Sequence, residues 1–249
     1  MKLIILGSGT CVPSLKRGAP ANFIKIGEAQ ILVDCGPGTL KQLEKANLSY
    51  KNIDMVFFTH FHVDHISDIG PLIQALNWTP GFERKKNLLL IGPEGFQAFY
   101  ERYIKPVCGT PRPGTYKITI KEIKDNLEFD GFKVQCLKTV HSPESIAYKL
   151  IEKDKSLVIS GDCDFDEPLS EFSKQADVLL LECSFANGKK MKGHLVSHEC
   201  GRIAQEAGIK RLILTHLYPP LPGVKRLKEV KEIFPAATLA EDLMEVELR

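Results

Sequence analysis

The chain has 249 residues, enough for one large domain with a real core or two small ones. Apolar residues make up 43% and charged residues 26%, the ordinary balance of a soluble globular chain. A net charge of +2 excludes the global basic footprint of strong nucleic-acid binders, so any nucleic-acid contact has to be local.

Leu3 to Leu6 reads as a first strand, ended by Gly7-Ser8-Gly9-Thr10. A lone Gly-x-Gly after a strand suggests a nucleotide loop, but the third glycine and the following helix are missing, so these are tight-turn glycines. Pro13 to Gly18 is a loop. Phe23 to Ile26 and Ile31 to Asp34 form a hairpin. Cys35-Gly36-Pro37-Gly38-Thr39 then turns into an amphipathic helix carrying Leu40 and Leu43.

The next strand, Met55 to Phe58, feeds into Thr59-His60-Phe61-His62-Val63-Asp64-His65. Three of the seven histidines and a carboxylate fall within six residues, too dense for a loop with chance histidines. Histidine and aspartate without cysteine suit a borderline metal such as zinc, with manganese or iron as rivals. His60 and His62, two apart, can point the same way from extended backbone. Asp64 and His65 are adjacent and should diverge, so two metal ions are the natural inference. Ile66 to Ile73 follows with apolar residues at near-helical spacing.

Leu88 to Ile91 is a short buried strand, and Glu94 to Tyr103 a helix with Phe96, Phe99, Tyr100 and Tyr103 on one face, read as core. Tyr116 to Ile123 and Phe132 to Val140 are strands. The second ends at His141, where Ser142-Pro143 forces a turn. Leu157 to Ser160 runs into Gly161-Asp162, Val178 to Leu181 into Glu182, and Leu212 to Thr215 into His216. Four apolar strands thus end in His60, His141, Asp162 and His216, a repetition that suggests convergence on one rim. His194 follows the basic loop Lys189 to Lys192, whereas Ser197-His198-Glu199 reads as a cap and first turn of a helix ending near Gly208, with His198 exposed.

The cysteines at 11, 35, 108, 136, 163, 183 and 200 are odd in number and lack a Cys-x-x-Cys pair, which fits reduced thiols. The apolar run near the N-terminus is too short for a signal peptide, and no segment reaches membrane-spanning length. Repeats, low-complexity tracts and linkers are absent. A single domain over residues 1–249 and a cytoplasmic location are expected.

His60-x-His62-x-Asp64-His65 resembles the signature of the metallo-β-lactamase fold superfamily. Phe58 to Ile66, together with Leu32-Val33-Asp34-Cys35-Gly36-Pro37-Gly38-Thr39, resembles its ribonuclease Z branch. Pattern alone gives mixed α/β; the resemblance implies an α/β protein built as an αββα sandwich of two mixed β-sheets with outer helices. It also implies a binuclear centre. His60, His62 and His141 bind one divalent ion, Asp64, His65 and His216 the other, and Asp162 with a water bridges them, giving hydroxide at neutral pH. Relatives carry a glutamate and a histidine where this chain has Glu182 and His194, a dyad that protonates the leaving oxygen. Asp64, Glu182 and His194 are therefore the expected catalytic residues. Asp34 either orients a ligand histidine or caps the helix approach.

The resemblance covers nearly the whole chain, with departures that bear on substrate. Between His141 and Asp162 the tRNA-processing enzymes carry a long Gly/Pro-rich arm, and here residues 147–156 make only a hairpin. A Ser-x-Arg-Tyr-like tail is replaced by Leu217 to Pro222, and Leu-Val follows His194 in place of Ser-Thr. The expectation is a binuclear hydrolase, zinc-dependent or using manganese or iron, acting on small or short phosphodiesters. RNA stays open as a substrate and a homodimer as the assembly, with no membrane partner. Hydrolysis of thioesters, esters or lactones is the alternative. A purely structural metal or a di-iron redox role fits less well, since every ligand position is intact and no flavin partner domain is present.

Overall fold

The computed structural model describes residues 1–112, 114–219 and 223–248. One seven-stranded sheet contains β1 (Lys2–Gly7), β2 (Ala21–Ile26), β3 (Ala29–Cys35), β4 (Met55–Phe57), β5 (Leu88–Gly92) and β6 (Ile118–Glu122) in sequence order. The other contains β7 (Asn126–Phe129), β8 (Phe132–Lys138), β9 (Ile146–Glu152), β10 (Lys155–Ile159), β11 (Val178–Glu182), β12 (Arg211–Thr215) and β13 (Ala237–Leu239). The late strand β14 (Met244–Glu247) returns to the first sheet and pairs antiparallel with β1.

The apolar runs divide by alternation, because successive side chains of a strand face opposite sides. In β1, Leu3 and Ile5 enter the layer between the sheets while Ile4 and Leu6 face outward. In β11, Val178 and Leu180 face inward while Leu179 and Leu181 face outward. Both faces are covered, which explains unbroken apolar stretches such as Leu3 to Leu6. The outer face of the first sheet is covered by α1 (Thr39–Lys45), α2 (Val63–Ile66), α3 (Ile69–Trp78), α4 (Phe96–Phe99) and α5 (Lys105–Cys108). The second is covered by α6 (Glu167–Phe172), α7 (Ser197–Ala207) and α8 (Gly223–Lys231). Each fully buried Leu or Ile in these layers contributes about 1.5–3 kcal/mol. Among the described residues no helix is long and apolar enough to cross a membrane.

Strand direction positions the site. β3 and β4 are parallel, as are β10, β11 and β12; β8 runs with β10 because both are antiparallel to β9. Their carboxyl ends release Asp34, His60, His141, Asp162, Glu182 and His216 along one rim, where parallel sheets usually bind ligands. The sheets are joined there: Tyr148 Oη donates to the Phe58 carbonyl at 2.8 Å and Ile146 N to the Thr59 carbonyl at 3.0 Å. Gly161 adopts φ +59°, and a Cβ on it would stand 2.7 Å from Thr59 Cβ, so glycine is required for this approach.

Several local expectations need correction. The helix after the histidine loop begins at Val63, inside the motif, instead of after it. The helix from residue 96 passes through a π-helical turn, Tyr100–Ile104, which rotates its aromatic face; Phe96 and Tyr100 are core, but Tyr103 is 55% exposed. Ser197 is the first helical residue with Val196 as its cap, while His198 is exposed as expected. All seven cysteines are free thiols. Of the tail from Leu217 to Pro222, residues 220–222 lie outside the described residues.

Candidate metal centre

The motif is short enough that local backbone decides where each donor points. His60 stands three residues beyond the end of β4 and is fully buried. His62 is the cap of α2 and is exposed. Starting the helix at Val63 turns that residue outward, 69% exposed, and Asp64 and His65 inward. The two neighbours do not diverge as expected, since Asp64 Oδ2 and His65 Nε2 approach to 3.9 Å. The pair joins one cluster, whereas His60 and His62 belong to another.

Ligand atoms of His60, His62, His141 and Asp162 all lie within 4.8 Å of one another, and so do those of Asp64, His65 and His216. His62 Nδ1 is 3.1 Å from both His60 Nε2 and His141 Nε2. Asp162 Oδ2 lies 3.8 and 3.6 Å from the same two nitrogens. Its other oxygen, Oδ1, is 3.3 Å from His65 Nε2 and 3.2 Å from His216 Nε2. A tetrahedral site with bonds near 2.1 Å has donor separations of about 3.4 Å, so both sets have cation spacing. His65 Nε2, His216 Nε2 and Asp162 Oδ1 are buried and make no hydrogen bond. Leaving such groups unpaired costs about 1–3 kcal/mol each, and lone pairs aimed at one point are what a cation satisfies. The donors present therefore fit two divalent ions sharing Asp162.

The electrostatics agree. Burial acting alone would raise the Asp162 carboxyl, but the surrounding His216, His65 and His60 hold it well below the usual carboxylate range. Burial would pull His65 down, yet Asp162 and Asp34 raise it well above an ordinary imidazole. Two carboxylates facing one buried ring call for a positive charge there, whether a proton or a metal ion. His60 is pushed down by burial and by the neighbouring His65, which favours its neutral, ligand-competent form. His141 is lowered too, mainly by burial.

A second layer orients these rings. His65 Nδ1–H donates to Asp34 Oδ2 at 2.7 Å, so of the two sequence-level roles for Asp34 the geometry selects orientation. The Thr59 hydroxyl donates to Asp34 and lies 3.0 Å from His60 Nδ1. His141 Nδ1–H donates to the Gly193 carbonyl at 2.8 Å. On the other sheet, Glu182 is fully buried and its Oε1 lies 2.8 Å from His194 Nδ1. Burial lowers His194, but the hydrogen bond and charge of Glu182, with Asp162 and Asp64, raise it above the ordinary value. A ring nitrogen of His194 lies within 4.8 Å of ligand atoms of Asp162 and His216. His198 is remote from this group and bonds Asn187 Oδ1.

Thr59, Ser184 and Tyr218 were not singled out from sequence. Ser184 lies two residues beyond Glu182 at the same strand end, the spacing that returns a side chain to one side. Tyr218 stacks on Phe185 at 5.3 Å and meets His194 and His216 edge-on at 6.0 and 5.6 Å, walling one side of the site.

The family described as anti-Pycsar protein Apyc1 matches residues 1–220. The probable metallo-hydrolase YhfI of Bacillus subtilis is 32% identical over 94% of each chain. Its crystal structure, that of a metallo-beta-lactamase fold protein, superposes with a TM-score of 0.87 at 26% identity, covering 98% of both chains. Ribonuclease Z of Archaeoglobus fulgidus is 28% identical, covering 99% of this chain and 97% of its own. That alignment spans 307 positions against 249 residues here, so at least 58 positions belong to segments this chain lacks. With its match over residues 1–220, the chain belongs to the anti-Pycsar protein Apyc1 family, and its fold and paired His/Asp clusters make it a metallo-hydrolase of the metallo-β-lactamase fold.

Proposed function

We propose that the protein hydrolyses phosphodiesters, small or short ones rather than folded RNA, with two divalent cations, zinc first and manganese or iron as alternatives. His60, His62 and His141 would hold one ion through the first cluster. Asp64, His65 and His216 would hold the other, and the two oxygens of Asp162 would serve both. When bound, two such ions supply Lewis-acid polarisation of the phosphoryl group and a water of lowered pKa. Asp64, accepting only, orients the attacking water. The ring of Tyr218 excludes bulk water from the His194 side.

The observation that carries this reading is the 2.8 Å contact between Glu182 Oε1 and His194 Nδ1 beside the clusters. Engaged at Nδ1, His194 is left to hold its other proton at Nε2. It passes that proton to the departing oxygen as the P–O bond breaks, and Glu182 stabilises the ring in the orientation this requires. An alkoxide leaving phosphorus gains most from such an acid. The relatives named ribonuclease Z are consistent with diester chemistry. Substrate size follows from the segments missing relative to them and from the basic side chains. Arg84 is buried on backbone carbonyls, Lys85 and Lys86 pair with Glu83 and Asp54, and Lys190 pairs with Asp164 and Glu199.

The test is metal analysis of the purified protein together with hydrolysis of a chromogenic phosphodiester, a thioester and a lactone, each with zinc, manganese or iron. Two ions per chain and turnover of the diester above the other two are expected. Turnover of the thioester or lactone alone would overturn the reading.

A further inference from the structure

We propose that Ser184 is a positioning residue that ties the metal-site histidine His216 and the acid histidine His194 to one carboxylate, Glu182. The two functions would then depend on a single hydrogen-bond chain. The acid part of this inference rests on the reading of His194 given above; the metal part does not.

Ser184 is fully buried, with its hydroxyl 2.7 Å from Glu182 Oε2, 3.0 Å from His216 Nδ1 and 3.3 Å from His194 Nδ1. A hydroxyl has one proton to give and two lone pairs to receive. His216 Nε2 is buried without a hydrogen bond and faces Asp162 Oδ1 at 3.2 Å, so it is the nitrogen that presents a lone pair. The proton of His216 then resides on Nδ1 and points at Ser184. Ser184 receives it and gives its own proton to Glu182 Oε2. Glu182 Oε1 receives Nδ1–H of His194. With Nε2 of His216 free of a proton, this polarity satisfies every member, and it uses the 2.7 Å acceptor Glu182 Oε2 over the His216 carbonyl at 3.4 Å. The remaining acceptor capacity of Glu182 is filled by the backbone N–H groups of Cys163, Ser184 and Leu195. The carboxylate is thus held from all sides and cannot follow one histidine without moving the other.

The first sheet carries the same device. Asp34 holds His65 directly and reaches His60 through the Thr59 hydroxyl. In each sheet one buried carboxylate grips one histidine itself and a second through a hydroxyl. In the first sheet both histidines are metal-site residues. In the second, one is a metal-site residue and the other the acid, which is how Ser184 comes to join binding to chemistry.

The experiment uses Ser184→Ala, Ser184→Cys, Ser184→Thr and His194→Ala in the full chain. Metal-stripped protein is titrated with zinc by calorimetry. The loaded protein is assayed on a nitrophenyl diester and an alkyl diester. In Ser184→Ala one ion, that of the set containing His216, is expected to lose about 10–100-fold in affinity, the usual effect of removing a partner behind a ligand histidine, with the other ion within about threefold of wild type. Its kcat on the alkyl diester should fall at least about tenfold more than on the nitrophenyl diester, with KM little changed. Ser184→Cys, of similar size but a weak hydrogen bonder, should follow Ser184→Ala, and Ser184→Thr should follow wild type. A role in loop packing alone would make the cysteine variant resemble wild type, and that result overturns the proposal. Unchanged affinity for both ions in Ser184→Ala overturns it as well. If His194→Ala has the same effect on both diesters, the acid reading fails. The coupling proposal fails with it, and only the metal part survives, judged by calorimetry.

Discussion

His65 Nδ1 lies 2.7 Å from Asp34 Oδ2, and this contact turns the ring so that Nε2 stands 3.3 Å from Asp162 Oδ1. Asp34 makes it from a left-handed backbone, φ 62°, which asparagine tolerates as well as aspartate. Asp34→Asn therefore keeps the fold while removing the charge behind His65. Affinity for one ion should fall about 10–100-fold, measured by zinc titration of stripped protein. Wild-type affinity for both ions would remove Asp34 from that role.

His62 and Asp162 should differ in what they cost. His62 is exposed and belongs to one cluster, so His62→Ala should lose one ion and most activity while the melting temperature of the stripped protein stays near wild type. Asp162 faces both clusters, so Asp162→Ala should lose both ions. Metal analysis of the two variants decides it; retention of one tightly held ion in Asp162→Ala would make Asp162 a terminal ligand.

Salt dependence reads out substrate size. Among the described residues of the basic runs at 16–17, 84–86 and 189–192, Lys16, Lys189 and Lys192 are the lysines without an ion-pair partner, while Arg17 and Arg84 are held by hydrogen bonds, so these runs offer few free charges to phosphates. Binding falls with salt by roughly 0.7–0.9 log units per neutralised phosphate, so a shallow slope of about two contacts is expected. The measurement is a salt series on precursor tRNA beside a small diester. A steep slope with strong preference for tRNA would restore tRNA maturation as the function.

Tyr148 is fully buried, edge-on to Phe57 at 5.3 Å, and its hydroxyl crosses between the sheets to the Phe58 carbonyl. Tyr148→Phe keeps the packing and strands that carbonyl. A loss of about 1–3 kcal/mol is expected in urea unfolding, with metal content unchanged. A neutral result would mean the carbonyl finds another donor.

Asp177 gives a pH signature away from the metals. Burial would raise its carboxyl, but Lys210 at 2.7 Å and Ser156 N at 2.8 Å lower it below the usual range. A group with depressed folded pKa contributes stability that is present above its unfolded value, about 3.9, and is lost as pH falls through the folded value. Asp177→Asn should thus melt lower than wild type at pH 7, and the gap should close as the pH falls through the lowered folded value. A gap that persists in acid would mean the contribution is not electrostatic.

The strands were legible because burial on two faces leaves continuous apolar runs, and several of these runs end in a potential donor; the division of those donors into two sets was implied by the family resemblance and is matched by two clusters in space. Less legible was anything decided by backbone between residues. Val63 opening a helix inside the motif brings Asp64 and His65 together, and no spacing rule for adjacent residues gives that. The π-helical turn at Tyr100 exposes Tyr103 despite its helical period. Arg84 stands beside two lysines in the sequence, yet it is buried on the carbonyls of Lys51, Ile53 and Asn87. Thr59 and Ser184 carry no chemical signal of their own, because a hydroxyl matters only through what stands on either side of it.

The contact between Thr59 and Gly161 also limits how this scaffold can change its diet. One residue belongs to the sheet that carries the histidine motif and the other to the sheet that carries Asp162. Any side chain at 161 would act as a wedge between the two ligand sets, and the mouth would gain nothing. Variants that accept bulkier molecules must arise elsewhere, in the loops that carry the exposed Leu15 and Met191, where residues can be exchanged without altering the distance between the sheets.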